Sequence, residues 1–457
     1  MTAQVTANSG SKSMFRLHFG RKAKLLLGYL CLMILPFLAT YALDMQEKTF
    51  YAAMISTVNT LAMMMFYIQF PLGSRLKQIP LFANIDWNMS HHKKVGQWIG
   101  LAFLLHPVLI LAPRFFLSYG DGMTSVISVI TSSQMLTGII AWVLMIVWVL
   151  MSIFKDHLPM KYETWRFLHM AGFVAIAVLA TLHVTTVGQH GQFGSWFNKI
   201  WWALCSFSVL LVLFNYFVKP LMMKRRPFKL VSVEKVSSSD WQVTMAVNEN
   251  MDFDFEPGQF VWFNTDRSGG VKEHPFSIAS SRSSLPNISF LIRNLGDYTA
   301  KLGELTAGQN VYVDGPYGSI NLSDAKKSKG VLFIAGGAGI GPMLSLVRGL
   351  ADLDDKRPVR LIYGNNQADQ MVLQEEIKSL ESSMANFRQQ LVCKEGCEGG
   401  YTGLIDQAII KEVISDIDSK DWSVYLCGPK PMIAAVNKSL KKLKVPGRNI
   451  HFEQLSF

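Results

Sequence analysis

The 457-residue chain reads as a multidomain membrane protein: a six-helix transmembrane bundle, then an antiparallel β-barrel, then a doubly wound α/β domain. Three observations predict this. Half of the residues are hydrophobic and only 17% are charged, a balance foreign to a purely soluble protein. Charge is split between the halves: residues 1–229 hold 20 Lys and Arg against 6 Asp and Glu, and residues 230–457 hold 24 against 27. Long apolar runs stop near residue 219, and short alternating runs bounded by turn residues begin near 228.

A bilayer core takes about 20 mostly apolar residues to cross. Six windows qualify, at 23–43, 50–72, 93–112, 133–154, 165–187 and 200–219, so the membrane domain is expected over 23–219. Residues 1–22 are polar, then basic, and lead into an uncleaved first helix followed by further spans. Basic loops at 16–24, 75–94, 155–161 and 219–229 alternate with "DMQEK", "SYGDGM" and "GQHGQFGSW". Lys and Arg stay on the cytoplasmic side, so both termini are expected there. The basic excess then belongs to loops beside anionic lipid, and no nucleic-acid partner is expected. Cys393 and Cys397 form a CxxxC pair without a second pair or a nearby histidine, which argues against zinc. No disulfide framework is expected, in keeping with a cytoplasmic C-terminal half.

Ionisable side chains inside a bilayer are costly and mark function. The third span carries His92 and His106, and the fifth carries His169 and His183; both spacings are 14 residues. On a helix that is an advance of about 21 Å with the two rings about 40° apart on one face. The third and fifth spans run in the same direction, so His92 pairs in depth with His169 and His106 with His183. Two bis-imidazole sites stacked across the membrane are what two b-type haems require. A proton relay would not need equal spacing on two helices. His91 lies 15 residues from His106, about 60° off its face, which selects His92.

In the second half, "FKLVSVEKV", "WQVTMAV", "QFVWFN", "NISFLIRN" and "QNVYVDG" alternate as β-strands of a small barrel over 228–322. From 329 to 457 strands and helices alternate, which predicts a parallel sheet. "FIAGGAGIGPMLS" is a strand, a glycine turn and a helix start. Its Gly336, Gly337, Gly339 and Gly341 let the backbone approach a diphosphate where free N–H groups point outward. "EHPFSIASS" and "RNLGDYTAKL" read alone as strand, turn and a helix N-cap at Thr299.

Taken in order, "HPFS", "GDYT", "DGPYG", "AGGAGIGP" and "CGPKPM" behind a six-span domain with paired histidines resemble the NADPH oxidase and ferric reductase family over residues 20–457. The resemblance implies that His274, Pro275, Phe276 and Ser277 line the isoalloxazine and ribityl chain of FAD. It implies that Arg293 and Thr299 contact the FAD diphosphate, and that the four glycines receive the nicotinamide-nucleotide diphosphate. Cys427, Gly428 and Pro429 match the segment that closes over the nicotinamide, and Phe457 the terminal aromatic that stacks on the flavin and moves aside. No basic residue follows "YGNN" to pair a 2′-phosphate, Lys394 being the nearest, so NADH and NADPH both stay open. Arg114 and His190 are the outer-face residues able to hold an acceptor.

The function expected is transfer of electrons from cytoplasmic NAD(P)H through FAD and two haems to an acceptor outside, a ferric chelate or O2. Its setting is a bacterial plasma membrane. A transporter or proton channel regulated by a nucleotide-binding module is the competing class.

Overall fold

A computed structural model describes residues 21–43, 49–76, 79, 82, 84–188, 195–265, 272–415 and 419–452. The first half is helical: α1 (Arg21–Ala42), α2 (Phe50–Leu72), α3 (Ile85–Leu117), α4 (Tyr119–Thr131), α5 (Leu136–Ile153), α6 (Tyr162–Thr186) and α7 (Ser195–Leu213). A π turn, Phe214–Val218, leads from α7 into α8 (Lys219–Lys224). Among the described residues six helices are long and apolar enough to cross a membrane. A helix satisfies its own backbone, which is why apolar runs of this length take that form in lipid. Small residues let the bundle close. A Cβ on Gly172 would collide with Trp148, whose indole N–H donates to the Leu168 carbonyl at 2.8 Å, so α5 and α6 lie against each other here.

Two expectations change. The third span is longer than the window at 93–112: it runs 33 residues from an N-cap at Asn84, whose side chain accepts from Trp87 N–H. "SYGDGM", expected as a loop, begins α4 instead. The Ser118 hydroxyl caps it by accepting the Asp121 N–H at 3.0 Å, and Gly122 lies where a Cβ would strike the Phe115 ring. The glycine serves a close approach between α3 and α4 and not a turn.

The barrel consists of β1 (Phe228–Lys235), β2 (Asp240–Ala246), β3 (Phe260–Asn264), β4 (His274–Ser277), β5 (Asn287–Arg293) and β6 (Asn310–Tyr317). They form one sheet in the order β4-β3-β6-β1-β2-β5. A bridge between Ile278 and Phe290 joins the two edges and closes it over a core of Phe228, Val243, Phe263 and Phe290. A one-turn helix, α9 (Asp297–Ala300), follows β5.

Next come β7 (Gly330–Gly336), β8 (Val359–Asn365), β9 (Phe387–Cys393), β10 (Tyr401–Thr402), β11 (Trp422–Cys427) and β12 (Ile450–Phe452). All neighbours pair parallel, in the order β10-β9-β8-β7-β11-β12. Helices α10 (Ile340–Asp352), α11 (Gln374–Ser383), α12 (Gln407–Val413) and α13 (Lys430–Lys442) complete the domain. Every residue of β7 is buried, as in a central strand covered on both faces. No disulfide was expected, yet Cys393 and Cys397 are joined by one. The chain turns back at Gly396, which adopts φ +93°.

Candidate functional site

The four span histidines come together in two pairs between α3 and α6. The rings of His92 and His169 have centroids 6.1 Å apart at 65°. Two imidazoles on opposite faces of one metal, each bonded at about 2 Å, have centroids on the order of 6 Å apart. The inner pair therefore has the spacing of an axial ligand set. His92 Nδ1 lies 3.2 Å from the Gln69 carbonyl, which can only accept, so Nδ1 carries the proton. His169 Nδ1 lies 3.0 Å from Ser152 Oγ, whose own proton goes to the Trp148 carbonyl at 2.7 Å. Each ring thus keeps Nε2 free, the arrangement of a ligating histidine. His91 does not compete: it stacks on Trp87 at 3.6 Å and its Nδ1 meets the Trp87 carbonyl.

At the outer pair, His106 Nδ1 lies 3.0 Å from Asn59 Oδ1 on α2, and His183 sits within electrostatic range of it. His183 Nδ1 is buried without a hydrogen-bond partner among the described residues, and a Cβ on Gly138 of α5 would collide with its ring. Ser152 and Gly138 are themselves 14 residues apart on α5, so one neighbouring helix serves both levels. Among the described residues no three His, Cys, Asp or Glu side chains converge as a bare metal ion would require. The inner pair therefore suits the two axial positions of one b-type haem, and the outer histidines stand at the matching level of the same two helices.

The inner pair adjoins the barrel. A Cβ on Gly73 would stand 3.5 Å from His92, and two residues on, Arg75 pairs with Glu273 and, at 2.8 Å, with Asp314. Lys219 at the start of α8 also reaches Asp314 at 2.8 Å and donates to Tyr317 Oη at 2.9 Å. Glu273 and Asp314 are 2% and 6% exposed, so membrane and barrel meet through a buried charge cluster. Burial alone would raise the Asp314 carboxyl, but Arg75 and Lys219 outweigh it and hold it below the usual range. Sequence reading missed this cluster, although Asp314 and Tyr317 stand in the "DGPYG" already singled out and Glu273 directly precedes "HPFS".

Beside it, β4 sets His274, Pro275, Phe276 and Ser277 against β3. His274 stacks on Tyr298 of "GDYT" at 4.0 Å, and Phe276 lies 4.5 Å from Phe263. Burial pushes the His274 imidazole below its ordinary value; Glu163, 3.6 Å away on α6, works against that. Thr299 is not the N-cap expected. Gly296 occupies that position, and the Thr299 hydroxyl accepts the N–H groups of Leu295 and Gly296 at 2.9 and 3.1 Å. Arg293 grips Asp240 through Nε and Nη2 at 3.1 and 3.2 Å and reaches Asn365 at 3.2 Å.

Strand order reverses between β7 and β11, and ligands of doubly wound sheets bind beyond the strand ends at that point. Gly336 ends β7 with Gly337, Gly339 and Gly341 after it, and Cys427 ends β11 with Gly428 and Pro429 after it, so both predicted segments meet there. A Cβ on Gly339 would strike the Cys427 carbonyl, and one on Gly337, at φ +55°, would come within 2.6 Å of Arg293 Nη1. At Gly336, Gly337 and Gly339 the turn thus leaves no room for a Cβ, and it is shared with the arginine assigned to FAD. Phe457 and His190 lie outside the described residues. Arg114 is exposed in the last turn of α3.

Models of three protein families match in chain order: a ferric reductase-like transmembrane component at 52–181, an FAD-binding domain at 225–321 and an oxidoreductase NAD-binding domain at 333–438. The reductase component of propane 2-monooxygenase from Mycolicibacterium goodii is 32% identical over 212 residues, 45% of this chain. The chain spans about 60% of that relative's length. The electron transfer component of 2-halobenzoate 1,2-dioxygenase from Burkholderia cepacia is 31% identical over 238 residues, 50% of this chain and 67% of the relative. The crystal structure of Amycolatopsis cytochrome P450 reductase GcoB aligns at 22% identity and TM-score 0.45, over 50% of this chain and 69% of that one. With its membrane, flavin and nucleotide domains in this order, the chain belongs to the ferric reductase and NADPH oxidase family of multi-pass membrane oxidoreductases.

Proposed function

We propose that this oxidoreductase carries electrons from cytoplasmic NADH or NADPH through FAD and two b-type haems to an acceptor beyond the membrane, a ferric chelate or O2. The observation that carries the reading is the pair of imidazole sites at two depths, the inner one abutting the flavin domain. FAD, when bound, takes two electrons as a hydride and releases them singly to haem iron, which accepts one at a time.

The residues set the course. The glycine turn after β7 holds the dinucleotide diphosphate on backbone N–H groups, with Cys427, Gly428 and Pro429 facing it across the switch point. His274 to Ser277, with Tyr298, form the wall for the isoalloxazine, and Arg293 and Thr299 the diphosphate end. Phe457 is the residue proposed to cover the flavin until the nicotinamide displaces it. His92 and His169 hold the inner haem, and His106 and His183 the outer one. Orientation follows the basic loops, which set both termini and the nucleotide domains on the cytoplasmic side, with a bacterial plasma membrane as the setting. The segment after β8, Asn365-Asn366-Gln367, carries no cation, so both nucleotides remain candidates.

The test is reduction of an impermeant ferric chelate sealed inside proteoliposomes, with nucleotide added outside and oxygen present or absent. Chelate reduction without oxygen, or superoxide inside with it, supports the reading and chooses the acceptor. Flavin reduction with neither product contradicts it.

A further inference from the structure

Two guanidinium groups approach the Trp262 ring of β3, one from Arg75 at 4.9 Å and one from Arg166 of α6 at 5.6 Å. Their surroundings differ. Arg75 is paired with Glu273 and Asp314. Arg166 is half-buried and also lies 5.5 Å from the Tyr216 ring, yet among the described residues its buried Nη1 has no hydrogen-bond acceptor and no carboxylate pairs with it. Glu163, three residues back on the same helix, turns to His274 instead. A guanidinium nitrogen buried beside aromatic faces without an acceptor is costly unless an anion completes its site.

Its position says where such an anion would come from. Arg166 precedes His169 by three residues, a rise of about 4.5 Å along α6, and so stands one turn from the inner imidazole pair. Trp262 is the register partner of Pro275 in "HPFS". The guanidinium is therefore lodged between the flavin wall and the inner haem level, on a helix that belongs to the membrane bundle.

We propose that Arg166 is the counter-charge for one anionic oxygen of a bound cofactor at this boundary. The oxygen is either on the pyrimidine edge of reduced flavin or on a carboxylate of the inner haem. This rests on the proposed function, because it needs both cofactors to meet here. Arg166 then favours the reduced flavin over the oxidised one, or fixes the inner haem, by charge and not by touching the transferred electron.

The experiment compares purified full-length protein with Arg166→Gln and Arg166→Lys, counting FAD and haem and titrating each midpoint potential. For Gln the expectation is full cofactor content with at least a tenfold weaker equilibrium for reduction of one centre. That corresponds to about 30 mV on the two-electron flavin couple or about 59 mV on a haem. A shift confined to the flavin names the flavin oxygen, and one confined to a haem names its carboxylate. Lys should restore most of the shift. Unchanged potentials in Gln, or equal shifts in Gln and Lys, overturn the proposal while leaving the haem pathway standing. Wild-type protein that binds neither FAD nor haem overturns the pathway itself, and the proposal with it. Should Gln lose its cofactors, a Lys variant that retains them at wild-type potentials supports the charge role, and one that loses them also overturns it.

Discussion

The inner and outer histidine pairs lie 14 residues apart on both of their helices and differ in how they are held. Both inner rings are fixed through Nδ1, one by a backbone carbonyl and one by a serine whose proton is already engaged. At the outer pair only His106 is fixed, by a side-chain amide, and His183 is held by contact with Gly138. A ligating imidazole that donates its other N–H is the stronger donor to iron. With haem held at both levels, the outer ligand set would be the poorer donor, and the outer reduction potential is expected above the inner one, the order an outward flow needs. The difference also makes the outer pair depend on packing where the inner pair depends on hydrogen bonds.

Paired glycine substitutions break this contrast most sharply. Gly138→Ala puts a methyl group into the His183 ring, whereas Gly73→Ala meets His92 only at ordinary contact distance, 3.5 Å. Haem counted per chain should fall from two towards one for Gly138→Ala and stay at two for Gly73→Ala. Equal losses would show that the two sites are not held differently.

Removing an anchor should act more gently. Ser152→Ala and Asn59→Leu each delete the acceptor of one imidazole N–H. Losing a hydrogen bond that orients a ligating imidazole costs about 10–100-fold in affinity or activity. The larger loss is expected at the outer site, whose second ring has no hydrogen bond to another described residue. Stepwise haem dissociation, followed by absorbance, ranks the two.

The smallest effect concerns the charge cluster under the inner pair. Asp314 titrates below the ordinary carboxylate value because Arg75 and Lys219 outweigh its burial. A depressed carboxylate contributes stability above its unfolded value, about 3.9, and loses it as pH falls through the folded value. Contact between barrel and bundle should therefore be level from pH 7 to 5 and weaken only below the usual carboxylate range. Trp262, against Arg75, reports it by fluorescence. A transition near pH 6 would assign the contact to histidine instead.

Much of this was legible in the chain. Span length and the 14-residue spacing are consequences of bilayer thickness and helix rise, so the bundle and both imidazole pairs could be read directly. The anchors could not. Gln69, Asn59, Ser152 and Gly138 come from neighbouring helices whose rotation depends on packing, and Gln69 acts through its carbonyl, which any residue owns. "SYGDGM" reads as a loop because the role of Gly122, room for Phe115, is tertiary. The Arg75–Glu273 pair spans 198 positions and joins two domains, beyond any local pattern. The glycine turn and "CGPK" were separately visible, but only the order of β7 and β11 shows that they face each other.

The central claim is two haems on four named histidines, and haem stoichiometry of the purified protein tests it most directly. Wild type should show two b-type haems per chain, reduced on adding NAD(P)H and FAD, and His106→Leu should show one with flavin reduction intact. A haem-free wild type that still binds nucleotide, or His106→Leu protein that keeps both haems, would contradict the account.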